Sequence, residues 1–320
     1  MARGECWRAC ALALAVAALY GCATGQEAKG PAVPPVVDAA ADAASSLQAA
    51  NARFAEIVAA HNIRASRLDI LESRASLELR YSDRDGDHFD QCEADIFLAS
   101  GGRGALRATK VGNNILWVGS DGKQGWIFRL DSKPTQLTVF EGIAEMPPGQ
   151  RLMGDGAAEF SLLSPRAVRT IAGIAPIAEG WTLRAVEGTG QIESRFELVS
   201  PIAAEVDAVF RFGASGLPES VRIESRGGNP ILKAGLSEYA TAQVENLAQG
   251  AWPQVARRIV VTGVGAAGAK DSEARLYLDA PIAMARRMKP RFFVLDELVA
   301  QLRPDAVEHV VVRDGAGEPQ

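Results

Sequence analysis

Leu106-Arg-Ala-Thr-Lys110, Ile115-Leu-Trp-Val118 and Trp126-Ile-Phe-Arg-Leu130, punctuated by Gly112-Asn-Asn114 and Ser120-Asp-Gly122, decide the fold. Each run is short, rich in strand-favouring side chains, and ends in residues that turn the chain back on itself. The same rhythm extends in both directions. Upstream, Leu77, Leu79 and Tyr81 alternate with Glu78 and Arg80, and Ile96 and Leu98 follow beyond Asp85-Gly86. Downstream come Leu137–Phe140, Trp181–Val186, Ile192–Val199, Val206–Phe212, Ser220–Ser225, Ile231–Ala240, Arg257–Val264 and Ala274–Leu278. Strand signals about ten residues apart, with no helix between most of them, predict an antiparallel meander of about twelve strands rather than βαβ units.

Two helices interrupt the strands. Asp38 to His61 is alanine-rich, lacks Gly and Pro, and carries Leu47, Phe54, Ile57 and Val58 at helical spacing. Its stripe either packs on the sheet or covers the mouth of a cavity, and the sequence supports both. Ser164-Pro165 is an N-cap followed by proline at the first helical position, so Ala167–Ile174 is expected to be a short helix. The predicted class is mainly β (α+β): a large antiparallel sheet with the N-terminal helix and the short mid-chain helix packed on it. No second domain or internal repeat is visible.

Composition narrows the function classes. Of the 320 residues, 48% are hydrophobic but only 6% aromatic, and 34 basic against 39 acidic side chains give a net charge of −5. A nucleic-acid surface would need clustered excess Lys and Arg, so no nucleic-acid partner is expected. High apolar content with low net charge per residue argues against disorder. The scarcity of aromatics is consistent with a roomy interior and equally with biased base composition.

The first residues read as an address. Arg3 and Arg8 precede the apolar run Ala9–Tyr20, too short at about 1.5 Å per residue to span a bilayer and arranged as a secretory signal. Leu19-Tyr20-Gly21-Cys22 resembles the bacterial lipobox, which implies cleavage before Cys22 and acylation of that cysteine. Residues 1–21 are then signal peptide, 22–37 the acylated cysteine and a flexible Ala/Pro/Gly tether, and 38–320 the β-rich domain. Ala23 is not the aspartate that holds lipoproteins at the inner membrane, which favours the outer membrane, periplasmic face. The membrane is thus the expected partner through acyl groups on Cys22, and a monomer is expected. Cys6 and Cys10 leave with the signal, so Cys92 has no intramolecular disulfide partner and reads as a small buried hydrophobe.

Several motifs imitate sites without meeting their chemistry. Gly263-Val-Gly-Ala-Ala-Gly268 follows a strand, but Lys270-Asp-Ser272 leads straight into Ala274–Leu278, leaving no room for the helix that would hold a pyrophosphate. Asp83, Asp85, Asp87 and Asp90 lack the glycine and glutamate positions of an EF-hand loop, and a solvated hairpin tip accounts for them. The three histidines, His61, His88 and His309, are far apart, and neither G-x-S-x-G nor H-E-x-x-H occurs. The four cysteines cannot build a zinc site. No catalytic residue, metal ligand or cofactor is therefore assigned. Arg286-Arg-Met-Lys-Pro-Arg291 reads as a solvated basic face, with contact to acidic headgroups as the sharper reading.

The order of parts resembles the LolA/LolB-like lipoprotein-carrier superfamily. The resemblance is carried by Ser76-Leu-Glu-Leu-Arg-Tyr81, Leu106–Lys110, Asn114-Ile-Leu-Trp-Val-Gly-Ser-Asp121 and Ser164-Pro-Arg-Ala-Val-Arg-Thr-Ile171, and could span residues 40–300. It implies that the large sheet curls into an unclosed half-barrel, capped by helices around an apolar cavity for acyl chains, in a non-enzymatic carrier of lipid or lipoprotein. Candidate inward side chains are the same-face pairs Trp126/Phe128 and Phe210/Phe212, with Trp117, Trp181 and Phe196; ordinary core filling is the competing reading for each. Ile143–Pro148 is a loop that either touches membrane or cargo or merely connects. The rival class is a structural or sensory envelope lipoprotein with a protein-binding β-domain and a filled core. A hydrolase would need polar groups converging in a cleft.

Overall fold

The side-chain alternation of the quoted stretch persists through the hairpins of the protein. The computed structural model describes residues 39–83, 86–142, 163–186, 191–203, 206–263, 272–283 and 290–311. Cys22 and its tether, the 143–148 loop, most of the glycine-rich run after Gly263, and residues 286–289 of the basic cluster lie outside them, as do the side chains of the Asp-rich tip from 83 to 87. Met1–Ala44 and Ser45–Gln320 are two compact units, and the sheet lies in the second.

The first meander is β1 (Ile70–Asp83), β2 (Gly86–Ala99), β3 (Arg103–Lys110), β4 (Asn113–Asp121), β5 (Gln124–Arg129) and β6 (Gln136–Glu141). The β3–β4 and β4–β5 turns fall at the predicted Gly112–Asn114 and Ser120–Gly122, while the connections at 100–102 and 130–135 carry no predicted punctuation. The second is β7 (Thr182–Ala185), β8 (Phe196–Ala203), β9 (Val206–Phe212), β10 (Pro218–Ser225), β11 (Pro230–Thr241), the two-residue β12 (Gln243–Val244), β13 (Gln254–Gly263) and β14 (Ser272–Ala283). β14 pairs antiparallel with β1, Leu276 opposite Leu77, which fuses both meanders into one sheet. With β15 (Ala306–Val311) at one end, its order is β15-β6-β5-β4-β3-β2-β1-β14-β13-β11-β10-β9-β8-β7, and its two ends do not meet, so no barrel closes.

The sheet departs from expectation in two respects. Fifteen strands are present among the described residues rather than about twelve, and two joints are parallel: β12 on β14, and β15 (Ala306–Val311) on β6. Pro304-Asp305, not a hairpin turn, precedes β15, so turn punctuation does not announce it. Asp305 instead fixes the strand's start, its carboxylate accepting from Thr135 N and Thr135 Oγ1 at 2.8 Å each. Ile192–Ser194, expected as strand, is a 3-10 turn, and β8 begins at Phe196.

α1 (Ala39–Arg67) runs one and a half turns past the predicted end at His61, and Arg64 and Arg67 in its last turn complement the helix dipole. α2 (Pro165–Ile171) starts as predicted, with Ser164 Oγ accepting from Ala167 N at 3.4 Å and proline in the first turn. It ends at Gly173, whose φ of +64° suits glycine. α3 (Leu295–Leu302) follows a 3-10 turn at Pro290–Phe293.

The inner face of the sheet is apolar, and the outer face is apolar across β2 to β6 and carries ion pairs such as Arg222–Glu197 and Arg184–Glu224 beyond them. Each apolar face is covered by a different part of the chain. On the inner face Leu77, Ile96, Leu98, Leu106, Leu198, Phe210, Val221, Leu236, Ile259 and Leu276 meet Phe54 and Ile57 of α1 and Val168 and Ile171 of α2. On the outer face Phe97, Trp117, Trp126, Phe128, Leu137 and Val139 are covered by Phe292, Phe293, Leu295, Leu298 and Val299. Gly119 makes the outer layer fit. It lies opposite Trp126, and a Cβ there would come within 2.5 Å of the indole. Gly119→Ala is therefore expected to cost roughly 1–3 kcal/mol in urea denaturation, whereas Gly235→Ala, with open space around it, should change stability little.

Candidate functional site

The inner face holds a small void between α2 and the middle of the sheet. It measures about 20 Å³ and is lined by Leu77, Leu106, Leu163, Val168, Ile171, Ile259, Val261, Ala274 and Leu276, every one apolar. Such a void is dry, since a water in it would find no polar partner. It is far too small for an acyl chain while α2 lies where it does, so the packing describes a closed interior.

Buried arginines hold α2 and the end of α1 in place. Arg169 of α2 donates from Nη1 to Leu68 O at 3.0 Å and Asp69 O at 3.2 Å, and from Nη2 to Ile174 O at 3.4 Å. Arg64 of α1 donates from Nη1 to Gln254 O at 3.1 Å and from Nη2 to the Gly173 carbonyl. Each guanidinium is over nine-tenths buried and bonds backbone carbonyls rather than a carboxylate. Burial accordingly lowers the pKa of both from the usual arginine value. Hydrogen bonds to charged donors are among the stronger ones, and an arginine left without its acceptors here would carry the full desolvation cost. Asn62 adds a reciprocal pair, Nδ2 to Ile177 O at 3.1 Å and Ile177 N to Oδ1 at 2.8 Å.

His61 completes this junction. Its Nε2 lies 2.8 Å from Ala175 O and its Nδ1 3.1 Å from Arg64 Nη2. A carbonyl can only accept and a guanidinium only donate, so the ring is neutral with its proton on Nε2. Burial, and secondarily the Arg64 charge, push its pKa down to about 4. The ring packs edge-on against Phe210 and Phe212, at 5.8 and 6.0 Å between centroids. A more open cleft of about 280 Å³ borders the same residues, between α1 and the turn at Ser215–Leu217. Arg53 on its wall is paired with Glu193 at 2.7 Å and Glu56 at 3.3 Å, so the charges there largely cancel.

The seven aromatic residues expected to face one interior are divided between the two faces. Phe196, Phe210 and Phe212 belong to the inner cluster, and Trp181 packs partly buried against it. Trp117, Trp126 and Phe128 are in the outer layer. Register parity is the reason: Trp117 lies opposite Phe128, and Phe128 opposite Leu137, while the intervening Leu116, Val118 and Ile127 point inward. Cys22 lies outside the described residues. Cys92 is buried, and burial raises its thiol pKa. His61, Arg64 and Arg169 were not among the expected site residues. A usable signal for one of them is an arginine inside the apolar run Ala167-Val-Arg-Thr-Ile171.

One strained residue stands apart. Val111 at the β3–β4 tip has φ +50° and is 95% exposed, so a β-branched side chain occupies a left-handed turn with no packing to hold it there.

No protein-family profile and no curated protein matches this chain. Solved structures of similar architecture include a LolA superfamily protein from Nitrosomonas europaea, at 11% identity, covering 75% of this chain and 98% of that one with a TM-score of 0.44. Another is a putative outer membrane lipoprotein-sorting protein domain from Vibrio parahaemolyticus, at 11% identity, 74% and 94% coverage and TM-score 0.44. A DUF1329 family protein from Desulfovibrio piger is similar at 10% identity, 75% and 98% coverage and TM-score 0.46.

The junction makes stability depend on pH with a definite sign. Because the folded pKa of His61 is lowered, the unfolded chain binds more protons between about 4 and 6.5. Its contribution is complete above pH 6.5 and falls by roughly 3 kcal/mol as the pH drops to 4. Urea midpoints measured from pH 7 to 5 should fall steadily, and His61→Gln should flatten that slope.

Proposed function

We propose that this protein is a non-enzymatic, lipid-anchored bacterial envelope protein that binds the acyl chains of a lipid or lipoprotein against the inner face of its sheet. The observation that carries the reading is the wholly apolar void beneath α2, walled by a helix that short-range carbonyl bonds keep shut. An acyl chain wants a dry, apolar, elongated surface and asks for few hydrogen bonds. The inner face supplies that surface once α2 moves away. The residues that would then be uncovered are those of the void together with Phe196, Phe210 and Phe212. Cys22 is the proposed anchor, with the outer membrane as its membrane. Val111, exposed and strained at a hairpin tip, is a candidate for touching a lipid surface during exchange.

The reading is tested by extracting lipid from protein purified out of native membranes and identifying it by mass spectrometry. Stoichiometric acyl lipid is expected. Protein that is reproducibly empty favours the filled-core, protein-binding class. A variant gives a second readout: Arg169→Met keeps the aliphatic stem but removes the three carbonyl bonds. It should raise uptake of a fluorescent fatty acid several-fold, on the order of one released hydrogen bond's worth of closing energy. Unchanged uptake in a folded variant would contradict the part assigned to α2.

A further inference from the structure

The two edges of the sheet are built differently. β7 at one end has only four residues, Thr182–Ala185, with Arg184 inside it, and short charged strands resist pairing with other chains. β15 at the other end has six, Ala306-Val-Glu-His-Val-Val311, with no lysine or proline. Val307 is 52% exposed and Val311 62%, although most large apolar side chains of this protein are buried. Among the described residues, no strand pairs with the outer side of β15. Its backbone groups on that side would gain partners from an added strand.

We propose that β15 is the site where a second copy of this chain adds edge to edge, continuing the sheet across a two-fold axis. The sequence of the strand selects this occupant and its register. A two-fold axis perpendicular to a sheet pairs antiparallel strands so that one residue faces its own copy. Centred on His309, the pairing sets Val307 opposite Val311 of the second copy, and Val311 opposite its Val307. Both exposed valines are then paired on one face, His309 is at the axis, and Glu308 meets Val310 rather than another acid. Centred on Glu308, two carboxylates would confront each other and each Val307 would meet a histidine. Centred on Val310, Val307 would lie opposite position 313, an arginine, Val311 would meet a histidine, and the pairing of the two exposed valines would be lost. His309 is already supported on its own chain, Nδ1 lying 3.1 Å from Glu141 Oε1 on β6. A six-residue strand pair is a small interface, so a concentration-dependent dimer follows rather than a permanent one. Such a dimer departs from the monomer expected from the sequence.

Sedimentation of the full chain with Cys6, Cys10 and Cys22 changed to serine tests the proposal. The average mass is expected to climb from the monomer value toward twice that between ~10 µM and ~1 mM. Val307→Lys with Val311→Lys should hold it at the monomer value with an unchanged circular dichroism spectrum. Register is read separately. In the same background His309→Cys should form an intermolecular disulfide under mild oxidation, because residues facing each other lie within bonding range. Glu308→Cys, displaced from its own copy along the strand, should not. A monomer at every concentration overturns the proposal. A dimer unaffected by the two lysines, or cross-linked equally through 308 and 309, overturns it as well.

Discussion

A sheet that is apolar on its inner face and, across β2 to β6, on its outer face as well has to be covered twice, and this constraint organises the protein. Strand alternation usually gives one face to the core and one to water. Here the outward positions of β2 to β6 are Phe97, Trp117, Trp126, Phe128, Leu137 and Val139. They could not be left in solvent, each large side chain being worth about 1.5–3 kcal/mol on burial. The segment after Pro290 supplies the outer cover, and α1 with α2 supplies the inner one. The outer layer is aromatic and tight, down to a glycine beneath an indole. The inner layer is aliphatic near its centre and keeps a void there.

The covers are attached by different physics. Outside, the contact is apolar, and Trp117 and Trp126 each bury an indole N–H without a partner among the described residues. Inside, the junction of the helices is polar: Arg64, Arg169, His61 and Asn62 reach backbone carbonyls and one amide. Directional bonds at the rim of an apolar interior can break together while the greasy wall beneath stays intact. A latch of this kind is reversible where a fully interdigitated layer is not. On this ground the inner face is the one proposed for ligand, and the outer face is structural.

Much of the fold was legible because hairpin punctuation is local. Gly112-Asn-Asn114 and Ser120-Asp-Gly122 fix turns whatever the rest of the chain does, and Ser164-Pro165 starts a helix on its own chemistry. What distant residues decide was not legible. Which face of β4 and β5 turns toward α1 depends on how the sheet is covered as a whole, so Trp117, Trp126 and Phe128, expected to face inward with Phe210 and Phe212, lie on the outer face instead. β15 escaped notice because its partner, β6, is 170 residues away at the Thr135–Asp305 contact that starts the strand. Arg64 resembles a solvated arginine in sequence and Arg169 stands out only by its apolar neighbours; what joins them to the junction is mainly carbonyls about 100 to 190 residues distant, on Gln254, Gly173, Leu68 and Asp69.

The most direct measurement of the central claim is photo-crosslinking with a fatty acid carrying a diazirine along its chain, followed by peptide mapping. Labelling is predicted to concentrate on Leu77, Leu106, Ile171, Ile259 and Leu276, the wall of the inner void. Labelling confined to the outer layer or the exposed surface, or none above background, would contradict the account.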